Sequence, residues 1–295
     1  GIIVHAIHRD ALEGEIWTFH EGKTVRGKGW TVAGSTYLIL QGIQGASRPD
    51  SRSNTEQARE MINRADTLLK ANGASYRNVI RTWFSLSEIL QWYDSFNRVR
   101  NELYEEHGFL VPTCGRRKSF PASTGIGVRL PMGCAGSLDL LAAVPAPDSA
   151  TRIRYLSNPH QQDPYLYESA FSRGVVIEEG QYAWIEVSGT AAVDEQGRTL
   201  YVGDARRQII RTLDDISALL AQEGAHLEDI SAATAFLKHP NDAEVLRTVL
   251  HEKGLDGIPM VCMVADICRD EFLFEMDAEL IVRSNQNPFP VQTLG

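Results

Sequence analysis

Glu275, in the run "FLFEMDAELIV", is a carboxyl set between two large apolar residues. A carboxyl desolvated between Phe274 and Met276 has its pKa raised, and two units or more above its usual value it can act as a general acid near neutral pH. The run has a plain alternative, since Glu275, Asp277 and Glu279 alternate with apolar residues as in any strand with one wet face. Arginine offers the complementary chemistry, because its planar fork matches a carboxylate with two hydrogen bonds. Arg173 in "YESAFSRG", Arg269 in "DICRD" and the pair Arg116 and Arg117 in "GRRK" are the candidates, each also readable as a solvated surface cation. Tyr165 and Tyr167 in "PYLYESAF" either orient a ligand through their hydroxyls or form one face of a strand. Gly189 and Thr190 in "VSGTA" either admit a ligand close to the backbone or make a tight turn. His160 in "NPHQ" neighbours these segments and reads as a structural histidine.

Other chemistries lack their residues. There is no G-x-S-x-G elbow, no H-E-x-x-H and no Walker loop. The glycines of "GIGVRLPMG" do not stand between a strand and a helix, as a dinucleotide fold requires. Cys114, Cys134, Cys262 and Cys268 form no C-x-x-C pair and no zinc spacing, so they are expected to be reduced thiols, with no metal and no cofactor. A net charge of −9 repels phosphate backbones, and "GRRK" is the one compact basic run, which argues against a nucleic-acid partner. With 43% apolar and 23% charged residues and no apolar run near the 18 or so that a span requires, no membrane partner is expected. The start "GIIVHAIHRDALEGEIW" lacks the basic stretch and long apolar core of a secretion signal, which predicts a cytoplasmic protein.

The elements that must position these residues occur twice. "ANGASYRNVIRTWFSL" at 71–86 returns as "QEGAHLEDISAATAFL" at 222–237, an offset of 151 that also aligns Gln57 with Gln208 and Leu68 with Leu219. Ala58, Met61, Ile62, Ala65, Leu68 and Leu69, and then Ile209, Leu213, Ile216, Leu219 and Leu220, recur at helical spacing. Gly73 and Gly224 fall where a left-handed cap ends each helix, and "NVIRTWFSL" and "DISAATAFL" read as strands. A second helix follows in each half, marked by Ile89, Trp92, Phe96, Val99 and Leu103 and by Val245, Leu246, Val249 and Leu250. Closing strands are "PASTGIGVRLP" with "SLDLLAAV", and "PMVCMVADI" with "FLFEMDAELIV"; opening strands are "TYLILQG", and "YAWIEVSGTAAV" turning at "DEQG" into "RTLYVG". Residues 144–164, with four prolines and no period, read as a linker, and the tail "RSNQNPFPVQTLG" as irregular. The chain therefore divides into residues 1–150 and 151–295. Each unit is an α+β mixed sheet with two helices on one face and a second face in need of a partner.

The S-G-x strand end, the helix ending in "GA", the proline-led strand and the terminal strand with E-x-D resemble the RidA/YjgF/UK114 family. That resemblance implies two tandem chorismate-mutase-like units, and in the family trimers with clefts between subunits. "PASTGIG" at 121–127 and "DICRDEFLFEMD" at 266–277 resemble more specifically its chorismatase branch, which hydrolyses the enol ether of chorismate to release pyruvate. The imine deaminases of the family carry an arginine two residues after the proline of the penultimate strand. Here Ser123 follows Pro121 and Val261 follows Pro259, so that anchor is missing. The first half offers only Asp139 as a terminal-strand acid, whereas Glu275 falls where the family keeps its catalytic acid. The first half, its own site degenerate, is thus expected to be scaffold and cleft wall, and the second to hold the candidate active site.

The resemblance implies a chorismatase-like hydrolase acting on a small carboxylate, with Glu275 as acid and Arg173, Arg269, Arg116, Tyr167, Gly189 and Thr190 about the substrate. The alternatives are an enamine or imine deaminase and a non-catalytic small-ligand module; the ribonuclease label attached to parts of the family is opposed by the net charge. Three tandem chains would imitate a six-unit assembly, so a homotrimer is expected, with a monomer as the alternative.

Overall fold

The computed structural model describes residues 6–46, 52–109, 120–130 and 133–284. The helical spacings become helices whose apolar faces are buried: α1 (Asn54–Lys70) through Ala58, Met61, Ile62, Ala65 and Leu69, and α3 (Ala205–Ala221) through Ile209, Leu213, Ile216, Leu219 and Leu220. Ser53 opens α1 with a reciprocal cap, its hydroxyl accepting from the Glu56 N–H and the Glu56 carboxylate accepting from the Ser53 N–H. After each helix Gly73 (φ 79°) and Gly224 (φ 69°) turn left-handed, and the N–H groups of Ala74 and Ala225 return to the carbonyls of Leu69 and Leu220.

The first half contributes β1 (Trp17–Glu21), β2 (Thr24–Val32), β3 (Ser35–Gln44), β4 (Val79–Leu86), α2 (Ile89–Glu106), β5 (Ala122–Gly127) and β6 (Gly136–Pro145), its sheet running β1-β2-β3-β6-β4-β5. The second contributes β7 (Arg152–Leu156), β8 (Gly174–Glu179), β9 (Tyr182–Ala191), β10 (Ala232–Leu237), α4 (Asp242–Glu252), β11 (Met260–Val264) and β12 (Phe274–Arg283), ordered β11-β10-β12-β9-β8-β7. In each sheet one pair is parallel, β4 with β5 and β10 with β11, because a helix carries the chain back between them. All other pairs are antiparallel.

Helices cover the outer face of each sheet, and the two bare faces meet. Tyr37, Leu141 and Ala143 of the first sheet are buried against Val175 and Ile177 of the second, with Trp30 and Trp184 at the margin. Tyr37 stands 6.1 Å from the Trp184 ring and donates its hydroxyl to Glu179. Each copy thus supplies the apolar surface the other needs.

The pattern departs from the sequence reading in three places. The stretch 144–164 is not a simple linker: β6 runs to Pro145, and "RIRYL" forms β7, where Ile153 and Tyr155 face the junction between flanking prolines that mask the alternation. β1, β2 and β8 also lie outside the expected strands; the charges and glycines of "TVRGKGWTV" broke the apolar period of β2. Conversely "RTLYVG" is no strand beyond the single Val193–Thr199 bridge, because Asp194 gathers the N–H groups of Gln196 and Arg198 into a tight turn. The tail beyond Ser284 lies outside the described residues.

Candidate active site

A β-bulge sets the site. Thr190 pairs with Met276 and Val187 with Ala278, so Ser188 and Gly189 of β9 stand opposite the single residue Asp277 of β12. The bulged segment is gripped by β5 of the other half: the Ser123 N–H donates to Ser188 Oγ at 2.9 Å, and the Gly189 N–H donates to Thr124 Oγ1 at 3.1 Å. The "PASTGIG" and "VSGTA" motifs therefore meet across the junction between the halves. Gly189 is required there for space, since a Cβ at that position would lie 2.1 Å from Glu275 Oε1.

Glu275 is 4% exposed, and its pKa is raised to about 8, first by burial and then by the charge of Asp277, with Arg81 and Arg173 opposing. Behind it lies a buried ionic cluster. Arg81, 1% exposed on β4, donates from Nε to Glu186 Oε2 at 3.2 Å and from Nη2 to Asp277 Oδ2 at 2.9 Å. Thr124 Oγ1 accepts from the same Nη2 at 2.8 Å and donates to Asp277 Oδ2 at 2.8 Å. Burial pushes the Glu186 carboxyl up against the opposing pull of Arg81. Two carboxylates of the second half are thus held by one cation of the first.

In front of Glu275 is a cavity of about 110 Å³. Arg173 and Arg269 both line it, with Gly189 beside the acid. Arg173 donates from Nη2 to the Gln162 carbonyl at 2.8 Å with its guanidinium over Phe171, and Arg269 donates from Nη1 to the Gly197 carbonyl at 2.7 Å with its guanidinium over Phe272. The facing wall comes from the first half through Tyr93, Asp94 and Asn97 of α2. Cys268 completes the lining, its thiol pushed up to about 12 by burial and then by the charge of Glu275. Tyr93, against the same thiol, is pushed well up by burial.

Other sequence candidates lie elsewhere. The Thr190 hydroxyl donates to the Ser188 carbonyl at 2.9 Å and does not line the cavity, because strand alternation turns it from Gly189. Tyr165 stacks on Phe120 at 5.5 Å. The backbone of Tyr167 closes a short 3-10 turn, Pro164–Tyr167, and its side chain lies outside what the structure describes. Arg116, Arg117 and Cys114 also lie outside the described residues. His160 is exposed, its Nδ1 3.9 Å from Asp215. Asp139 accepts the Gly42 N–H at 2.6 Å in a separate cavity that also receives Arg81 and Glu279. A larger cleft of about 910 Å³ at the margin of the sheet junction is walled by Trp30, Tyr182, Trp184 and Met260, and no arginine lines it among the described residues. No cluster of three or more His, Cys, Asp or Glu suited to a metal occurs among the described residues, and none of their helices is long and apolar enough to cross a membrane.

Arg81, Thr124, Tyr93, Asn97 and Phe171 were not singled out from sequence, and Cys268 was read only as a reduced thiol. Arg81 alone left a signal: a charge inside the otherwise apolar strand "VIRTWFSL" must be paired if the strand is buried.

Residues 166–279 match the family model described as Endoribonuclease L-PSP. A RutC family protein of Pyrococcus abyssi is 29% identical over 96 residues, 32% of this chain and 76% of that protein. A chorismatase crystal structure has a TM-score of 0.67 at 20% identity, covering 89% of this chain and 78% of that one. A YjgF family member from Neisseria meningitidis, 20% identical, covers 45% of this chain and 97% of its own with a TM-score of 0.35. The likeness to chorismatase is one of fold, and it extends through both halves.

Proposed function

We propose, from a fold like that of chorismatase and from the match of residues 166–279 to the L-PSP family, that the cavity hydrolyses the enol ether of chorismate or of a similar small carboxylate, releasing pyruvate. The observation that carries this reading is Glu275, a buried carboxyl with its pKa raised to about 8 on the wall of a cavity that also receives two arginines. At neutral pH such a group is protonated and can give its proton to the terminal methylene carbon of an enolpyruvyl group. The resulting oxocarbenium ion takes up water at the ether carbon, and the proton lost by that water returns to the Glu275 carboxylate. The hemiketal then breaks its C–O bond to give pyruvate and the free alcohol. Arg173 and Arg269 supply the charge-assisted bonds that hold the substrate carboxylates.

The test is pyruvate release from chorismate by the purified protein beside Glu275→Gln. Pyruvate from the wild type and a rate lower by about 10²–10⁴ in the variant is the expected result. Ammonia release from a 2-aminoacrylate-type substrate without pyruvate from chorismate would transfer the same acid to enamine or imine deamination. Specific binding of small carboxylates with neither product would make the protein a ligand-binding module.

A further inference from the structure

Arg100 of α2 is 1% exposed, and all its described partners are neutral: Asn97 Oδ1 at 2.8 Å and Ser169 Oγ at 3.3 Å from Nη2, and Ser123 Oγ at 3.5 Å from Nη1. Its Nε has no hydrogen-bond partner among the described residues. The rings of Phe84, Phe96 and Phe171 surround the guanidinium at 6.0, 5.5 and 5.8 Å, which offsets part of the cost of desolvation but supplies no counter-charge. Arg81, by contrast, is equally buried and meets two carboxylates. A buried cation without an anion is costly, and a fold that keeps one needs the anion to come from elsewhere.

Asn97 and Ser169, the two groups held by Nη2, both line the cavity in front of Glu275. Asn97 can accept from a guanidinium only through Oδ1, so its Nδ2 is left as the group that faces a ligand. Ser169 accepts on Oγ, so its hydroxyl hydrogen is directed away from the guanidinium, toward Tyr93 and the cavity. Arg100 therefore fixes the polarity of this wall: it turns two side chains that could accept or donate into donors, and it adds a positive field behind them.

We infer that Arg100 is a positioning residue that makes the α2 wall of the cavity, through Asn97 and Ser169, a receptor for a carboxylate group of the ligand, apart from the contacts offered by Arg173 and Arg269. This rests on the reading that the cavity is the substrate site, but not on which bond is broken there.

The experiment is a ligand-observed NMR titration with pyruvate and its neutral isostere pyruvamide, which needs no turnover and so separates this inference from the hydrolase reading. Wild type is expected to prefer pyruvate by tenfold or more, Arg100→Gln to cut that preference several-fold while Arg173 and Arg269 keep the rest, and Arg100→Lys to recover part of the loss. Asn97→Asp, which hands the cation an internal anion, is expected to raise the melting temperature while abolishing the preference, a pairing that keeps the test sharp if Arg100→Gln does not fold. Equal binding of the two probes by wild type, an undiminished preference in folded Arg100→Gln, or a lower melting temperature with the preference retained in Asn97→Asp would each overturn it.

Discussion

The carboxyl of Glu275 occupies the space that any side chain on Gly189 would take, with Oε1 2.1 Å from the position of a Cβ there. The obstructing atom is the far end of a flexible side chain, so Gly189→Ala is expected to fold, with a cost of about 1–3 kcal/mol. The acid, however, must swing away from its place. A cooperative melting curve lowered by several degrees, together with a tenfold or greater loss of pyruvate release, is expected; an unchanged rate would mean that the placement of this carboxyl does not matter to the reaction.

The pH dependence has a definite sign. The Glu275 carboxyl titrates near 4.5 when unfolded and at about 8 when folded. Between those values the native state holds a proton that the unfolded state has released. The contribution of this group is therefore full below about pH 4.5 and is lost as the pH rises through about 8. Glu186, raised in the same direction, adds to the slope. Wild type should be less stable at high pH than at pH 5.5 by on the order of a few kcal/mol, and Glu275→Gln should flatten part of that fall. The rate should hold below about pH 8 and drop with rising pH above it as the acid deprotonates. Denaturant midpoints and rates taken across that range check both, and identical stability slopes in wild type and variant would remove Glu275 as the buried proton holder.

Helices were legible because both copies repeat the same apolar spacing, so Ile62 and Leu213 announce their buried faces without any long-range information. Strands with one wet face and one packed on the other half were harder. In "RIRYL" the inward residues Ile153 and Tyr155 answer to a sheet some distance away in sequence. Site residues divided by the same rule. Glu275, Arg173, Arg269 and Gly189 sit in or beside motifs with a local signature. Asn97, Tyr93 and Arg100 look like the polar face of an ordinary amphipathic helix until the second half is laid against it. Which face of α2 is wet is a tertiary fact.

Breaking the ionic tie between the halves should cost more than a surface pair would. Arg81→Met leaves Glu186 and Asp277 buried without their cation, and a loss of about 3–5 kcal/mol is expected in chemical denaturation. Adding Glu186→Gln and Asp277→Asn to that variant removes the stranded charges and should restore most of the loss. If the single variant lost under 1 kcal/mol, the cluster would be no more than a solvated pair.

Arg173 and Arg269 should separate binding from chemistry. Both line the cavity, but only Arg173 acts on the charge of Glu275, so Arg269→Gln is expected to raise KM for chorismate about tenfold or more with a smaller change in kcat. A fall in kcat alone, with KM unmoved, would place Arg269 at the reacting centre instead of on a substrate carboxylate.

The repeat also bears on assembly. The outer edge of β5 is covered by the second half, through the Ala122–Ser172 and Gly127–Asp266 bridges. Its counterpart β11 leaves Cys262, Met263 and Val264 exposed within the chain. An uncovered apolar edge strand is a surface for another chain, and the copy-related junction shows the geometry such a contact can take. A homotrimer is the assembly we expect, with a sedimentation mass three times the 32.8 kDa of the chain, and Met263→Lys should shift it toward the monomer by placing a charge on that edge. A mass near that of a dimer would exclude a closed ring of three chains, and a wild-type monomer would mean that β11 is tolerated as a free edge.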